Sequence, residues 1–309
     1  MDESKFVPER LDEWAYWITE REKIRVRKEK DAGQKGPPYH KDPVMANTRW
    51  CNVRRMDDRV SLWLLDNWYP GDDIINPKSA LLAGLLGRMI NQPETLAYIT
   101  GGEPFTRFDY DRYLERMYEV KASGKPVFTG AYIINGASGG PKIEQVLGAI
   151  RRAAERIGAD KQARCYVNRA SMQATAESLH ELPGVGSFIA GQVVADLRHV
   201  LEGSWGDKMT WAPVGPGSSR GMKYLLGQIS AVGTAGRGND MGQKEFLSNL
   251  RKLIRVAREH PKVGPIFEER ELEAQDIQSS LCELGKYIRI KYKAGRAKNP
   301  YPPKPRKGR

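Results

Sequence analysis

Leu182-Pro183-Gly184-Val185-Gly186-Ser187-Phe188-Ile189-Ala190 is the stretch from which this chain is read. Pro183 fixes one φ angle and the two glycines admit left-handed backbone angles, so the segment predicts a sharp hairpin between two helices, with bare N–H groups pointing outward. The second helix begins at the hairpin, and the positive end of its dipole adds to an anion site that suits phosphate without reading any base. A tight helix connection with no ligand is the alternative for the same residues. Ser171–His180 leads into the hairpin and Phe188–Leu201 leaves it, and Asp207 follows Gly186 by 21 positions.

Further out, helical spacing dominates. Leu11, Trp14, Trp17, Ile18 and Ile24 recur among alternating charges and predict a half-buried first helix over 11–30, ended by Gly33, Gly36, Pro37, Pro38 and Pro43. A second helix is expected from Asp57, with Val60, Leu62, Trp63, Leu64 and Leu65 on its apolar face and the Tyr69-Pro70-Gly71 turn at its end. Ser79–Asn91, with Leu81, Leu82, Leu85, Leu86, Met89 and Ile90, predicts a central core helix. Phe108–Val120, Lys142–Ile157, the basic Lys244–Glu259 and Glu271–Lys293 complete the set. Lys125–Pro141 is glycine-rich and predicts a loop or short strand lining a cleft. Strand signals are scarce, so the expected class is all-α. The expected organisation is a helical extension over 1–75 packed on a core over 76–293, then a disordered basic tail over 294–309 with Pro302, Pro303, Pro305 and six Lys or Arg residues.

Composition bounds the partner. The chain has 309 residues, 40% of them apolar, enough for a large core in one or two lobes, and 50 Lys plus Arg against 38 Asp plus Glu give a formal charge of +12. That balance favours a polyanion, nucleic acid first. No apolar run approaches the roughly 18 residues of a membrane span. Met1–Arg10 is charged and lacks a signal-peptide core, so the cytoplasm is the expected compartment. Cys51, Cys165 and Cys282 stand far apart, which argues against a disulfide framework, a zinc site or a four-cysteine iron–sulfur cluster.

Three constellations carry chemistry. Asp207 is a candidate catalytic carboxylate, or, after Trp205-Gly206, the cap of the next helix. Gly215-Pro216-Gly217-Ser218-Ser219-Arg220-Gly221, with Lys223 beyond it, combines small residues and donors as phosphate-cradling loops do; a solvated surface loop is the plainer alternative. Arg54, Arg55 and Arg59 form a guanidinium patch able to clamp phosphates, and Asn52 is placed to hydrogen-bond a base edge. Pairing of those arginines with Asp57 or Asp58 is the structural alternative.

The hairpin followed by a distant aspartate resembles the DNA glycosylase superfamily with its helix-hairpin-helix. A second likeness is more specific. Thr19-Glu20-Arg21-Glu22-Lys23-Ile24, Cys51-Asn52-Val53-Arg54-Arg55, Asp57-Asp58-Arg59-Val60, Ile90-Asn91-Gln92-Pro93-Glu94-Thr95-Leu96, Phe128-Thr129-Gly130-Ala131-Tyr132, Gly215–Gly221 and Leu281-Cys282-Glu283-Leu284-Gly285-Lys286-Tyr287 occur in this order. Together they resemble the alpha-glutamyl/putrescinyl thymine pyrophosphorylase family of bacteriophages, over about Trp14 to Arg289; Leu284-Gly285 departs from its acidic and aromatic pair.

The resemblance implies a glycosylase-like helical fold turned from base removal to base decoration. Its substrates would be double-stranded DNA carrying pyrophosphorylated 5-hydroxymethyluracil and a free amino acid or amine such as glycine, serine, glutamate or putrescine. The amine would displace pyrophosphate. Asp207 would then be catalytic, orienting or deprotonating the amine. Arg54, Arg55, Arg59, Ser218, Ser219, Arg220 and Lys223 would hold pyrophosphate or the amino-acid carboxylate. Asn52, Asn91, Tyr132 and Trp211 would contact a flipped base, and Gly184, Val185, Gly186 and Ser187 the DNA phosphate. Ser187-Phe188-Ile189 stands where relatives that cut the strand carry a Schiff-base lysine. No protein-held metal and no obligatory cofactor are expected, although Mg2+ is able to assist pyrophosphate departure. A monomer is expected. A monofunctional DNA glycosylase and a non-catalytic DNA-binding protein are the alternatives.

Overall fold

Proline at a helix start costs nothing, because the first N–H groups of a helix lack partners in any case, and the chain uses this repeatedly. In the computed structural model, which describes residues 6–31, 34, 36–69, 76–129, 140–235, 241–295 and 301, proline stands in the first turn of several of the helices that follow. In chain order they are α1 (Pro8–Asp31), α2 (Pro43–Ala46), α3 (Arg59–Trp63), α4 (Pro77–Ile90), α5 (Pro93–Thr100), α6 (Tyr110–Ala122) and α7 (Lys142–Ile157). Then come α8 (Asp160–Ala163), α9 (Met172–His180), α10 (Ser187–Val200), α11 (Pro216–Leu225), α12 (Gln243–Glu259), α13 (Gly264–Glu269) and α14 (Ala274–Lys291). No strand occurs among the described residues, and the fold is all-α, as the apolar spacing predicts.

The chain divides into two compact units, residues 58–208 and residues 1–57 with 209–309. The division falls elsewhere than the sequence suggests: instead of an extension over 1–75, the first 57 residues share a unit with the last hundred. Of the tail over 294–309, only 294, 295 and 301 lie among the described residues.

In unit 58–208, α4 is buried along nearly its whole length and packs against α10 and α7. One charge interrupts its apolar surface. Arg88 is 1% exposed; its Nε donates to Asp196 Oδ2 on α10 at 2.6 Å, its Nη2 to Ser61 Oγ at 2.9 Å and its Nη1 to Asn91 Oδ1 at 3.1 Å. Tyr69 also donates to Asp196, at 3.3 Å. Asn91 ends α4 in the left-handed region, φ 49°, a conformation that Asn tolerates better than most residues.

In the other unit, α1 buries Trp14, Trp17, Ile18 and Ile24, and the Trp14 indole donates to Ser280 Oγ on α14 at 2.9 Å. The segment Gly215–Gly221, expected as a phosphate-cradling loop, is helical from Pro216 onward. Gly215 is the N-cap of α11, and the small residues serve helix packing: a Cβ on Gly221 would lie 2.2 Å from the Leu281 carbonyl oxygen of α14. Backbone meets backbone there, and only glycine permits it.

Two outcomes test these cores. Asp196→Ala strands the Arg88 guanidinium in the interior and should lower stability by about 3–5 kcal/mol, read as a lower urea midpoint. Gly221→Ala should cost about 1–3 kcal/mol by overpacking, read in the same titration.

Candidate nucleic-acid interface

The predicted hairpin forms. After α9, Leu182 N–H donates to Leu179 O and Val185 N–H to Leu182 O, both at 3.1 Å, and Gly184 turns the chain at φ +80°. A Cβ on Gly184 would stand 2.8 Å from the Ala149 Cβ of α7, so the position requires glycine for its angle and for its clearance. Leu182 and Val185 are buried as apolar anchors, while Pro183, Gly184, Gly186 and Ser187 are exposed and Phe188 is 50% exposed. His180 Nδ1 lies 3.0 Å from the Val185 carbonyl, which only accepts, so that nitrogen carries the proton. Gly186 is the N-cap of α10, its carbonyl receives Ala190 N–H at 3.0 Å, and a Cβ placed on it would meet open space. The four residues expected at DNA phosphate thus form a rigid turn on buried anchors, with Gly184, Gly186 and Ser187 at the surface.

Asp207 lies at the other end of α9. Its Oδ1 accepts Met172 N–H at 2.7 Å, and its Oδ2 accepts Gln173 N–H at 2.9 Å and the Ser171 hydroxyl at 2.8 Å. It does cap a helix, but an upstream one rather than the next. Trp205 N–H to Arg169 O at 3.0 Å and Gly206 N–H to Ala170 O at 2.9 Å hold the preceding residues alongside the start of α9. Asp207 and the hairpin are therefore the two ends of one helix, separated by about 12 Å of helix axis. Such charge-assisted bonds fix the orientation of the carboxylate.

The remaining expected residues of this unit differ in access. Arg59 is exposed at the start of α3. Asn91 is buried, and its Oδ1 receives the Arg88 bond described above, so its amide serves the core. Tyr132 lies outside the described residues.

In the other unit, Arg54 of the expected guanidinium patch belongs to a structural network. Arg54 is 3% exposed and donates to Glu22 Oε2 at 3.1 Å, Ile266 O at 2.6 Å and Arg270 O at 2.8 Å. With all three nitrogens engaged inside the protein, Nε on Arg270 O included, Arg54 has no face left for pyrophosphate. Asn52 accepts from Arg21 and donates to the Asp57 carbonyl, an internal link rather than a base contact. Arg55 is half-buried, and its backbone N–H donates to Asp276 Oδ1 at 2.8 Å. Ser218 and Ser219 are fully buried: Ser218 Oγ accepts Gly215 N–H at 3.0 Å and Ser219 Oγ accepts Met241 N–H at 2.7 Å. Trp211 is 4% exposed and packs in the core. Arg220 and Lys223 are half-buried on α11. Burial pushes the Cys282 thiol up to about 12, which removes it from nucleophilic chemistry near neutral pH. Among the described residues, no group of His, Cys, Asp and Glu is arranged to hold a metal ion, and no helix is long and apolar enough to cross a membrane.

Sequence reasoning missed the Arg88–Asp196 network. The available signal was a lone arginine inside the apolar run Ala80–Ile90, where burial demands a charged partner.

Comparison with known proteins gives two matches. The family profile described as 5-hmdU DNA kinase, helical domain, matches residues 8–297. A 5-hmdU DNA kinase of Bacillus phage SP10 is 28% identical over 277 residues, covering 82% of this chain and 41% of that kinase, so the chain spans less than half the length of this curated relative. No solved structure matches the chain.

The hairpin geometry yields a test. Gly184→Ala should destabilise the unit by about 1–3 kcal/mol through its left-handed φ and the Ala149 contact, and should weaken duplex DNA binding at temperatures where the variant is folded. Thermal melts and fluorescence anisotropy measure the two effects separately.

Proposed function

This chain belongs to the family of the 5-hmdU DNA kinase helical domain, and from that footing we propose that it is a phage DNA-modification enzyme acting on DNA that carries 5-hydroxymethyluracil. In the finer form of the proposal it joins an amine to the base after the 5-hydroxymethyl oxygen has been pyrophosphorylated. The observation that carries the DNA substrate is the hairpin, a rigid, exposed turn at the N-terminus of α10, within a chain that matches a DNA-modification family along nearly its whole length.

The reaction would run as a displacement. The amine nitrogen forms a bond to the exocyclic carbon, the carbon–oxygen bond breaks, and pyrophosphate leaves with the electron pair. The incoming ammonium must first lose a proton, and Asp207 is the carboxylate assigned to receive it or to orient the amine. Pyrophosphate departs more readily once its charge is neutralised. Arg59, exposed and in the same unit as Asp207, remains the candidate for that work; Arg54 does not. The target base would leave the stack to react.

Phosphorylation, the activity in the name of the SP10 relative, is the second reading. A P-loop needs Gly-x-x-x-x-Gly-Lys-Ser/Thr to cradle nucleotide phosphates. In this sequence Gly-Lys occurs at Gly124-Lys125 and Gly285-Lys286, followed by Pro126 and Tyr287.

Two parallel incubations separate the readings, each digested to nucleosides for mass spectrometry: the protein with a duplex bearing pyrophosphorylated 5-hydroxymethyluracil and a pool of amino acids and polyamines, and the protein with a 5-hydroxymethyluracil duplex and ATP. Transfer should yield a nucleoside with the amine in place of the pyrophosphate group, and free pyrophosphate in equal amount. Abasic sites would indicate a glycosylase, and phosphate passing from ATP to 5-hydroxymethyluracil DNA would indicate a kinase. Asp207→Asn keeps an acceptor for the α9 cap and should lower transfer by about 100-fold or more while duplex binding persists; undiminished transfer would remove Asp207 from the mechanism.

A further inference from the structure

Along α12, Phe246, Leu247, Leu250, Leu253, Ile254 and Ala257 are buried in the unit formed by residues 1–57 and 209–309. The opposite face carries Lys244, Ser248, Arg251 and Arg255, all exposed. Their spacing of four, three and four residues keeps them on one narrow stripe of a helix with 3.6 residues per turn, one donor side chain per turn. Lys244 and Arg255 have no ion-pair or hydrogen-bond partner for their side chains among the described residues, and Arg251 reaches only the Thr210 carbonyl, at 3.4 Å. Arg258 is different, since it pairs with Glu271 at 3.2 Å and covers the Phe267 ring.

Helix stability does not explain the stripe. Arg251 and Arg255 are like charges at i,i+4, which costs an isolated helix a few tenths of a kcal/mol. A merely solvated face tends to alternate signs, yet the acidic residues of α12 are Glu245 in its first turn and Glu259 at its last residue. A membrane surface is a poor fit, because a surface-seeking helix inserts its apolar face and that of α12 is occupied by the core. What suits a straight row of cations and a hydroxyl is a polyanion with regularly spaced charge.

We propose that this face of α12 is a duplex-DNA contact additional to the hairpin, with Lys244, Ser248, Arg251 and Arg255 gripping backbone phosphates. The row is about 16 Å long, which spans about five base-pair steps at ~3.4 Å each. Contacts of this kind position the duplex and carry no sequence preference. The proposal rests on the DNA reading above, and it assigns that reading a second surface.

The test is the salt dependence of duplex binding by the whole chain, followed by anisotropy from about 50 to 200 mM salt. Every phosphate that the protein ceases to neutralise takes about 0.9 off the slope of log K against log salt, so Lys244→Gln, Arg251→Gln and Arg255→Gln combined should flatten it by about 2–3. The thermal midpoint should hold, because all three side chains are exposed. A control with the same net charge, Lys23→Gln, Lys30→Gln and Lys41→Gln on other exposed positions of that unit, should leave the slope near that of the parent. Equal slopes for the parent and the α12 variant, or equal flattening by the control, would overturn the α12 contact and leave the DNA reading standing. Failure of the parent to bind any duplex would remove both. Weaker binding of the α12 variant to duplex RNA or to anionic vesicles, with its DNA binding intact, would show that the partner is misassigned.

Discussion

The buried pair between Arg88 of α4 and Asp196 of α10 is the constraint on which the hairpin depends. Taking both charges out of water is expensive, and the cost is tolerable only when directional bonds satisfy most of the donors and acceptors. Ser61, Tyr69 and Asn91 supply those bonds. Apolar packing alone would let α10 slide or rotate by small amounts at little cost, whereas a guanidinium shared among three side chains does not. The start of α10 is the surface proposed to meet DNA, and its position is inherited from a charge cluster in the interior.

The α9 helix extends the same logic. Asp207 holds one of its ends and the Gly184 turn continues from the other. A carboxylate proposed for chemistry and a turn proposed for phosphate are thus joined by one helix rather than by separate loops. Precise placement of reacting groups is what such helices provide.

The helices and the hairpin are legible in the sequence because their signals are local. Apolar spacing marks α1, α4, α7, α10, α12 and α14, and Pro183 with Gly184 marks a turn whose positive φ is an intrinsic property of the residue. Gly215–Gly221 shows where local signals fail. Glycine denotes a turn or a close approach with equal ease, and which applies at Gly221 depends on Leu281, sixty positions away. Arg54 fails for a similar reason: its partners include the carbonyls of Ile266 and Arg270, and no pattern near residue 54 announces them. The spacing of Asp207 from the hairpin is visible in the sequence, but the helix it caps starts 35 positions upstream, at Met172, where a local capping rule does not look.

The division of the chain bears on the order in which it comes off the ribosome. Residues 58–208 are continuous and can close their core as soon as they emerge. The first 57 residues cannot, because the helices they pack against begin after residue 209. At about 5–20 residues per second, the intervening stretch of about 150 residues takes roughly 8–30 s to be made. Throughout that interval the Trp14 indole lacks Ser280 of α14, to which it later donates. Over that interval the exposed face of α1 carries alternating charges, Glu20 with Lys23 and Arg25 with Glu29, opposite the apolar face that still lacks its partner.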